Sequence, residues 1–205
     1  MNLPNKITIS RILTIPLFLL FIIPLPESLI HCKLLYFIQP QLILFNNFVN
    51  SFGHYISAII FIIAASTDGV DGYIARKHKL VTNLGKFLDP IADKLLITAA
   101  IVALVQRGDL NTWFAVVILA REFAVTGLRL IAASEGIVIA ASKLGKLKTV
   151  SQIVAVTLMV LKNFPFNLFT DIPFDKYAIF IAVIITIYSG YDYFAKNKDV
   201  LDINS

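Results

Sequence analysis

Long apolar runs limit what this chain can fold into before any motif is considered. Six stretches of helix length, at about residues 7–25, 50–74, 87–106, 112–134, 146–163 and 176–195, are dominated by Ile, Leu, Val, Phe and Ala. A helix that crosses the hydrocarbon core of a bilayer needs about 20 mostly apolar residues, and it satisfies its backbone polar groups internally. The chain is 58% hydrophobic and 15% charged, whereas soluble domains run to roughly 45–50% apolar and about 25% charged. One soluble core could not absorb that much Ile, Leu and Phe, so a soluble enzyme and a disordered chain are both excluded. The single cysteine, Cys32, rules out an intramolecular disulfide scaffold. The expected architecture is an all-α polytopic membrane protein, with one membrane domain over residues 1–205 and six transmembrane helices.

The breaks refine that expectation. Pro16 lies inside the first run, and Pro24 and Pro26 end it. The apolar segment from Leu34 to Val49 is interrupted by Pro40, Asn46 and Asn47, so it reads as an interfacial segment, with a seventh span as the alternative. With six spans and both termini on one side, only Lys33, Arg107, Lys162 and Lys176 of the 18 lysines and arginines fall on the other side. Cations accumulate on the cytoplasmic side of membrane proteins. That puts both termini and the 75–86 and 135–146 loops in the cytoplasm of a multi-pass cell-membrane protein. No small-x-small cleavage site follows the first run, so it reads as a retained helix. A net charge of +5 in so apolar a chain points to anionic lipid headgroups rather than to nucleic acid. Trp113, Tyr191 and Tyr193 read as interfacial anchors, and Ala99, Ala100 and Ala103 as small residues that allow close helix contact. His31, His54 and His78 share no ligand spacing.

Carboxylates are scarce, and their placement is informative. Four of the 13 acids lie in the segment 68-DGVDGYIARKHKLVTNLGKFLDPIADK-94. Asp68, Asp71, Gly72 and Ala75 share one face of a helix, and Gly85, Asp89 and Asp93 share one face of the next. Each face runs into an apolar span, so the two helices are expected to be antiparallel neighbours with their acids meeting near the cytoplasmic boundary. Four converging carboxylates repel one another and are costly at membrane depth, so they call for protons or divalent cations. The donor set is all oxygen, which suits Mg²⁺ or Mn²⁺ better than zinc. Two such ions would form a clamp for phosphoryl transfer, with Gly72 and Gly85 leaving room for a bulky anion. The same acids could serve a divalent-cation carrier, and spacing alone leaves both readings open.

The segment resembles the signature of the CDP-alcohol phosphatidyltransferase family, D-x-x-D-G-x-x-A-R, eight residues, then G-x-x-x-D-x-x-x-D. Asp68, Asp71, Gly72, Ala75, Arg76, Gly85, Asp89 and Asp93 match it at every position. The segments 3-LPNKITISR-11, 121-REFAVTGLR-129, 142-SKLGKLKT-149 and 189-SGYDYF-194 are most similar to the bacterial branch that uses sn-glycerol 3-phosphate. The resemblance implies six helices, a homodimer, and transfer of the phosphatidyl group of CDP-diacylglycerol to glycerol 3-phosphate with release of CMP. It implies Asp68, Asp71, Asp89 and Asp93 as metal ligands, with Asp93 also the general base. Asp68, Asp71, Gly72, Ala75, Arg76 and Gly85 would line the CDP-diacylglycerol site. The same acid motif serves other acceptors, among them inositol phosphate, serine and phosphatidylglycerol.

The acceptor's phosphate needs cations beyond the motif, and Thr8, Arg11, Arg121, Arg129, Lys146 and Lys148 are the candidates. Arg121 and Arg129 are eight residues apart and share a helix face. The competing reading of Arg121 is an intramembrane pair with Glu122 or a motif carboxylate. For Lys143, Lys146 and Lys148 it is topology and lipid attraction.

Overall fold

In the computed structural model the backbone is described for residues 3–77, 83–137, 139–140 and 142–198, and side chains for these except 3–7, 68–77, 83–90 and 93. The described residues are all-helical. Among them are six long helices: α1 Leu3–Ile22, α2 Gln39–Lys77, α3 Asn83–Gln106, α4 Thr112–Ser134, α5 Lys143–Val160 and α6 Phe174–Lys196. A single turn at Glu27–Ile30 and 3₁₀ turns at Lys33–Ile38 and Phe166–Leu168 complete the elements. Each of the six expected helices is present. Among the described residues, two stretches, Lys33–Thr67 and Phe174–Lys196, are long and apolar enough to cross a membrane.

One boundary differs from expectation. The segment Leu34–Val49 is not set off from the next helix by its breaks: from Gln39 onward it is the first part of α2. The residues that looked like breaks are compatible with a helix where they stand. Pro40 is the second residue of α2, where its missing N–H would have had no intrahelical partner. Asn46 Oδ1 accepts from the Leu25 backbone N–H at 2.8 Å, tying the α1–α2 connection to the helix. At 39 residues, α2 is roughly 58 Å long, about twice the hydrocarbon thickness of a bilayer.

The chain divides into two compact units, one of residues 1–107 and 160–162, the other of residues 108–159 and 163–205. In the first, α1 lies against both α2 and α3. α1 and α2 run antiparallel, with the Phe18 and Phe61 rings 5.9 Å apart and the Phe21 and Phe45 rings 6.2 Å apart. Gly53 allows their close approach, since a Cβ there would collide with the carbonyl oxygen of Phe21. Ser57, one turn on, is buried and donates to the Gly53 carbonyl at 2.7 Å, so its hydroxyl is satisfied within its own helix. Phe61 and Ala64 continue this face, and Ala92, Leu96, Ala100, Ala103 and Leu104 form the buried stripe of α3. Ala100 and Ala103 thus fill the close-contact role read from the sequence, while Ala99 is half-buried.

In the second unit, α4 packs on α6 and the two run parallel, in the register Phe114–Phe180, Arg121–Ser189, Arg129–Tyr193. α5 runs the other way, with Lys148 meeting Glu122 and Gln152 meeting Thr186. Three successive helices therefore alternate in direction. Asn111 caps α4 by accepting from the Trp113 N–H at 2.9 Å. The helix ends at Gly136, whose φ of +73° is readily available only to glycine, with the Ile137 N–H bonding back to Ala132 O at 2.8 Å.

Candidate active site

Asp68, Asp71, Gly72, Ala75 and Arg76 fall in the last ten residues of α2, and Gly85, Asp89 and Asp93 near the start of α3. Both runs lie within continuous helix, the condition on which the face argument depends. The side chains of all eight lie outside the described residues. α1, which packs against both of these helices, carries Thr8 and Arg11 three residues apart, and both are buried. Arg11 is only 2% exposed, a costly placement for a guanidinium.

The remaining acceptor candidates lie in the second unit, in a polar cluster built by three helices. Arg121 on α4 donates from Nη2 to Ser189 Oγ on α6 at 2.8 Å, and from Nη1 to Glu122 Oε1 at 3.4 Å. Lys148 on α5 donates to the same carboxylate oxygen. The side chains of Arg121, Glu122 and Lys148 are 12%, 17% and 7% exposed. The pairing of Arg121 with Glu122 weighed from the sequence is therefore present, and it recruits Lys148 as well. Removing one partner of such a buried pair leaves an uncompensated charge, at about 3–5 kcal/mol. Gly190 makes room for this arginine, because a Cβ there would sit 3.1 Å from Arg121 Cγ. One turn deeper in α5, Gln152 donates to Thr186 Oγ1 at 2.9 Å, and both residues are buried.

Two turns along α4, Arg129 donates from Nε to the Tyr193 hydroxyl at 2.9 Å, and its guanidinium carbon lies 5.5 Å from the centre of that ring. Arg129 is otherwise exposed, which leaves it able to take an anion. Tyr193 corrects the sequence reading. It is not an interfacial anchor but is buried against Val125, Leu128 and Ala132. Trp113 and Tyr191 are exposed. Lys146 and Lys143 are also exposed, so in the basic segment it is Lys148 that turns inward.

The structure thus brings Arg121, Arg129 and Lys148 onto one α4–α5–α6 cluster, leaves Lys146 at its surface, and holds Thr8 and Arg11 in the other unit. Sequence reasoning missed Ser189 and Gly190 as partners of Arg121, and Tyr193 as the partner of Arg129. The three lie on one face of α6 at spacings of one and four residues, and that spacing was the available signal.

Comparison with known proteins agrees with the motif. The sequence pattern of the CDP-alcohol phosphatidyltransferases matches residues 1–188. The chain belongs to this family. It is 48% identical over 201 residues to the CDP-diacylglycerol–glycerol-3-phosphate 3-phosphatidyltransferase of Bacillus subtilis, covering 98% of this chain and 97% of that one. It is 37% identical over 198 residues to the protein of the same name from Rickettsia bellii, with 96% of each chain covered. A probable phosphatidylglycerophosphate synthase of Mycobacterium tuberculosis is 35% identical over 198 residues, or 95% of this chain and 81% of that one.

Proposed function

We propose that this family member is a transferase of phospholipid biosynthesis that moves the phosphatidyl group of CDP-diacylglycerol to sn-glycerol 3-phosphate, giving phosphatidylglycerophosphate and CMP. The observation that carries the reading is end-to-end similarity to relatives bearing that activity in their names, in a chain whose acid motif is complete. The acceptor hydroxyl attacks the phosphatidyl phosphorus, a new P–O bond forms, and the bond to CMP breaks with its electron pair leaving on CMP. Asp93 takes the proton from the attacking hydroxyl, as a base within hydrogen-bond reach can. Gly72, Ala75, Arg76 and Gly85 line the cytidine diphosphate site.

The donor set of Asp68, Asp71, Asp89 and Asp93 is all carboxylate, drawn from two successive helices, and fits two Mg²⁺ or Mn²⁺ ions. Such ions, when bound, supply neutralisation of the diphosphate and of the leaving CMP. Arg121, Arg129 and Lys148 hold the acceptor's phosphate. A guanidinium offers paired donors to phosphate oxygens and lysine adds a point charge. Lys146 adds a cation at the rim of this cluster.

The same reading takes all six helices as membrane spans, with both termini and the acid motif on the cytoplasmic side of the cell membrane, and a homodimer as the assembly. The alternation of α4, α5 and α6 supports it, as do the rows of exposed Ile and Phe along α2 and α6. The test supplies purified protein with labelled CDP-diacylglycerol, a divalent metal and a panel of acceptors. Phosphatidylglycerophosphate as the sole lipid product supports the assignment. A product from serine, inositol phosphate or phosphatidylglycerol would move the chain to another branch. Cation flux in proteoliposomes without CMP release would make it a carrier.

A further inference from the structure

The cation cluster contains an acid that substrate binding by itself does not call for. Glu122 Oε1 accepts from Arg121 Nη1 on its own helix and from Lys148 Nζ on α5. Arg121 is fixed at its other end by Ser189 on α6. One carboxylate oxygen therefore gathers two cations from two helices, and a hydroxyl on the third helix sets the orientation of one of them. Two buried like charges without that carboxylate would repel, and each would turn toward whatever solvent or carbonyl it could reach.

Charge balance gives the arrangement a purpose. Arg121, Lys148 and Glu122 sum to +1, and Arg129, two turns along the same helix, raises the α4–α5 set to +2. A phosphomonoester carries close to two negative charges near neutral pH. A cluster of three cations and one acid therefore matches a dianion while keeping its own like charges apart when empty.

We infer that Glu122 is a positioning residue for the acceptor site: it preassembles Lys148 and Arg121 into a fixed anion-binding pair and is not itself a ligand of substrate. The inference rests on the assignment of Lys148 and Arg121 to the acceptor's phosphate. Ser189 is the second positioning group, acting through Arg121.

Kinetics on the full-length protein in detergent or liposomes decide the matter. Glu122→Gln keeps size and an acceptor oxygen but removes the charge. It is expected to raise the KM for glycerol 3-phosphate roughly 10–100-fold, with the KM for CDP-diacylglycerol nearly unchanged. Because Glu122 acts through Lys148 as well as Arg121, the double variant Glu122→Gln/Lys148→Ala should fall well short of the product of the two single effects, where independent roles would multiply. Ser189→Ala, a smaller change that leaves every charge in place, is expected to raise the acceptor KM a few-fold and guards against a Glu122 variant that fails to fold. An unchanged or lowered acceptor KM in Glu122→Gln, with Lys148→Ala still impaired, overturns the inference and leaves the acceptor assignment standing. No effect on acceptor KM from Lys148→Ala overturns the acceptor assignment itself. Equal rises in both KM values with a lower melting temperature would make Glu122 a stability residue and also overturn the inference.

Discussion

The acid-bearing helices and the cation-bearing helices are assigned complementary jobs and are encoded in opposite ways. The carboxylates of α2 and α3 lie within 26 consecutive residues, at spacings that a helix converts directly into faces. The cations and their partners are spread from Arg121 to Tyr193, and only the packing of α4, α5 and α6 assembles them. A site built from one turn of chain and its return can be read from spacing. A site built by three helices becomes legible only when their register is known. The proposed chemistry follows the same division: the acid motif is assigned to the step common to all alcohol acceptors, and the dispersed cations to the choice of a phosphorylated one.

The sharpest way to break the comparison is to remove one acid. Asp68→Asn or Asp89→Asn is expected to abolish transfer while the protein still inserts. The lost stabilisation is several kcal/mol, or on the order of 10³-fold or more in rate. CMP release at limiting divalent metal is the measurement, and near-normal release from either variant would contradict the carboxylate assignment. Asp93→Asn separates two roles within the motif. As the base, Asp93 should contribute ~10²–10⁴-fold to turnover, with much less effect on CDP-diacylglycerol binding. Equal losses in rate and donor affinity would make it a ligand only.

The cation side should respond in KM rather than in rate. Arg129→Ala or Lys148→Ala is expected to raise the acceptor KM roughly 10–150-fold, the loss of one charge-assisted contact, with little change for CDP-diacylglycerol. Initial rates with glycerol 3-phosphate varied at saturating donor report this directly. Unchanged values in both variants would reduce these cations to topology signals and reopen the choice of acceptor.

The same contrast explains which expectations held. Six helices were legible because apolar runs of span length have few alternatives. The start of α2 is not legible in the sequence because Pro40 and Asn46 read as breakers. A first-turn proline costs nothing, and Asn46 is satisfied by Leu25 from outside the helix. Facing was harder still. Lys148, Gln152, Val156 and Val160 lie on the buried face of α5, yet the opposite face is also apolar, with Leu147, Val150 and Val154 exposed. Amphipathic contrast, which in a soluble helix separates inside from outside, therefore could not distinguish Lys148 from Lys146.

Tyr193 tests the smallest part of the contrast, the part that the sequence misassigned. Its hydroxyl accepts from Arg129 Nε and its ring lies under the guanidinium, so it acts on Arg129 in two separable ways. Tyr193→Phe deletes the hydroxyl but keeps the ring and its contacts with Val125, Leu128 and Ala132. One hydrogen bond is worth about 0.5–1.5 kcal/mol net, so the acceptor KM should rise roughly 2–10-fold with no change in melting temperature or in donor KM. Tyr193→Ala removes the ring as well and opens a cavity in a close-packed region, so it should lower the melting temperature too. The two variants together separate orientation of the arginine from packing of the bundle. If Tyr193→Phe matches wild type in acceptor KM while Arg129→Ala does not, Arg129 binds without its tyrosine, and Tyr193 serves only the core.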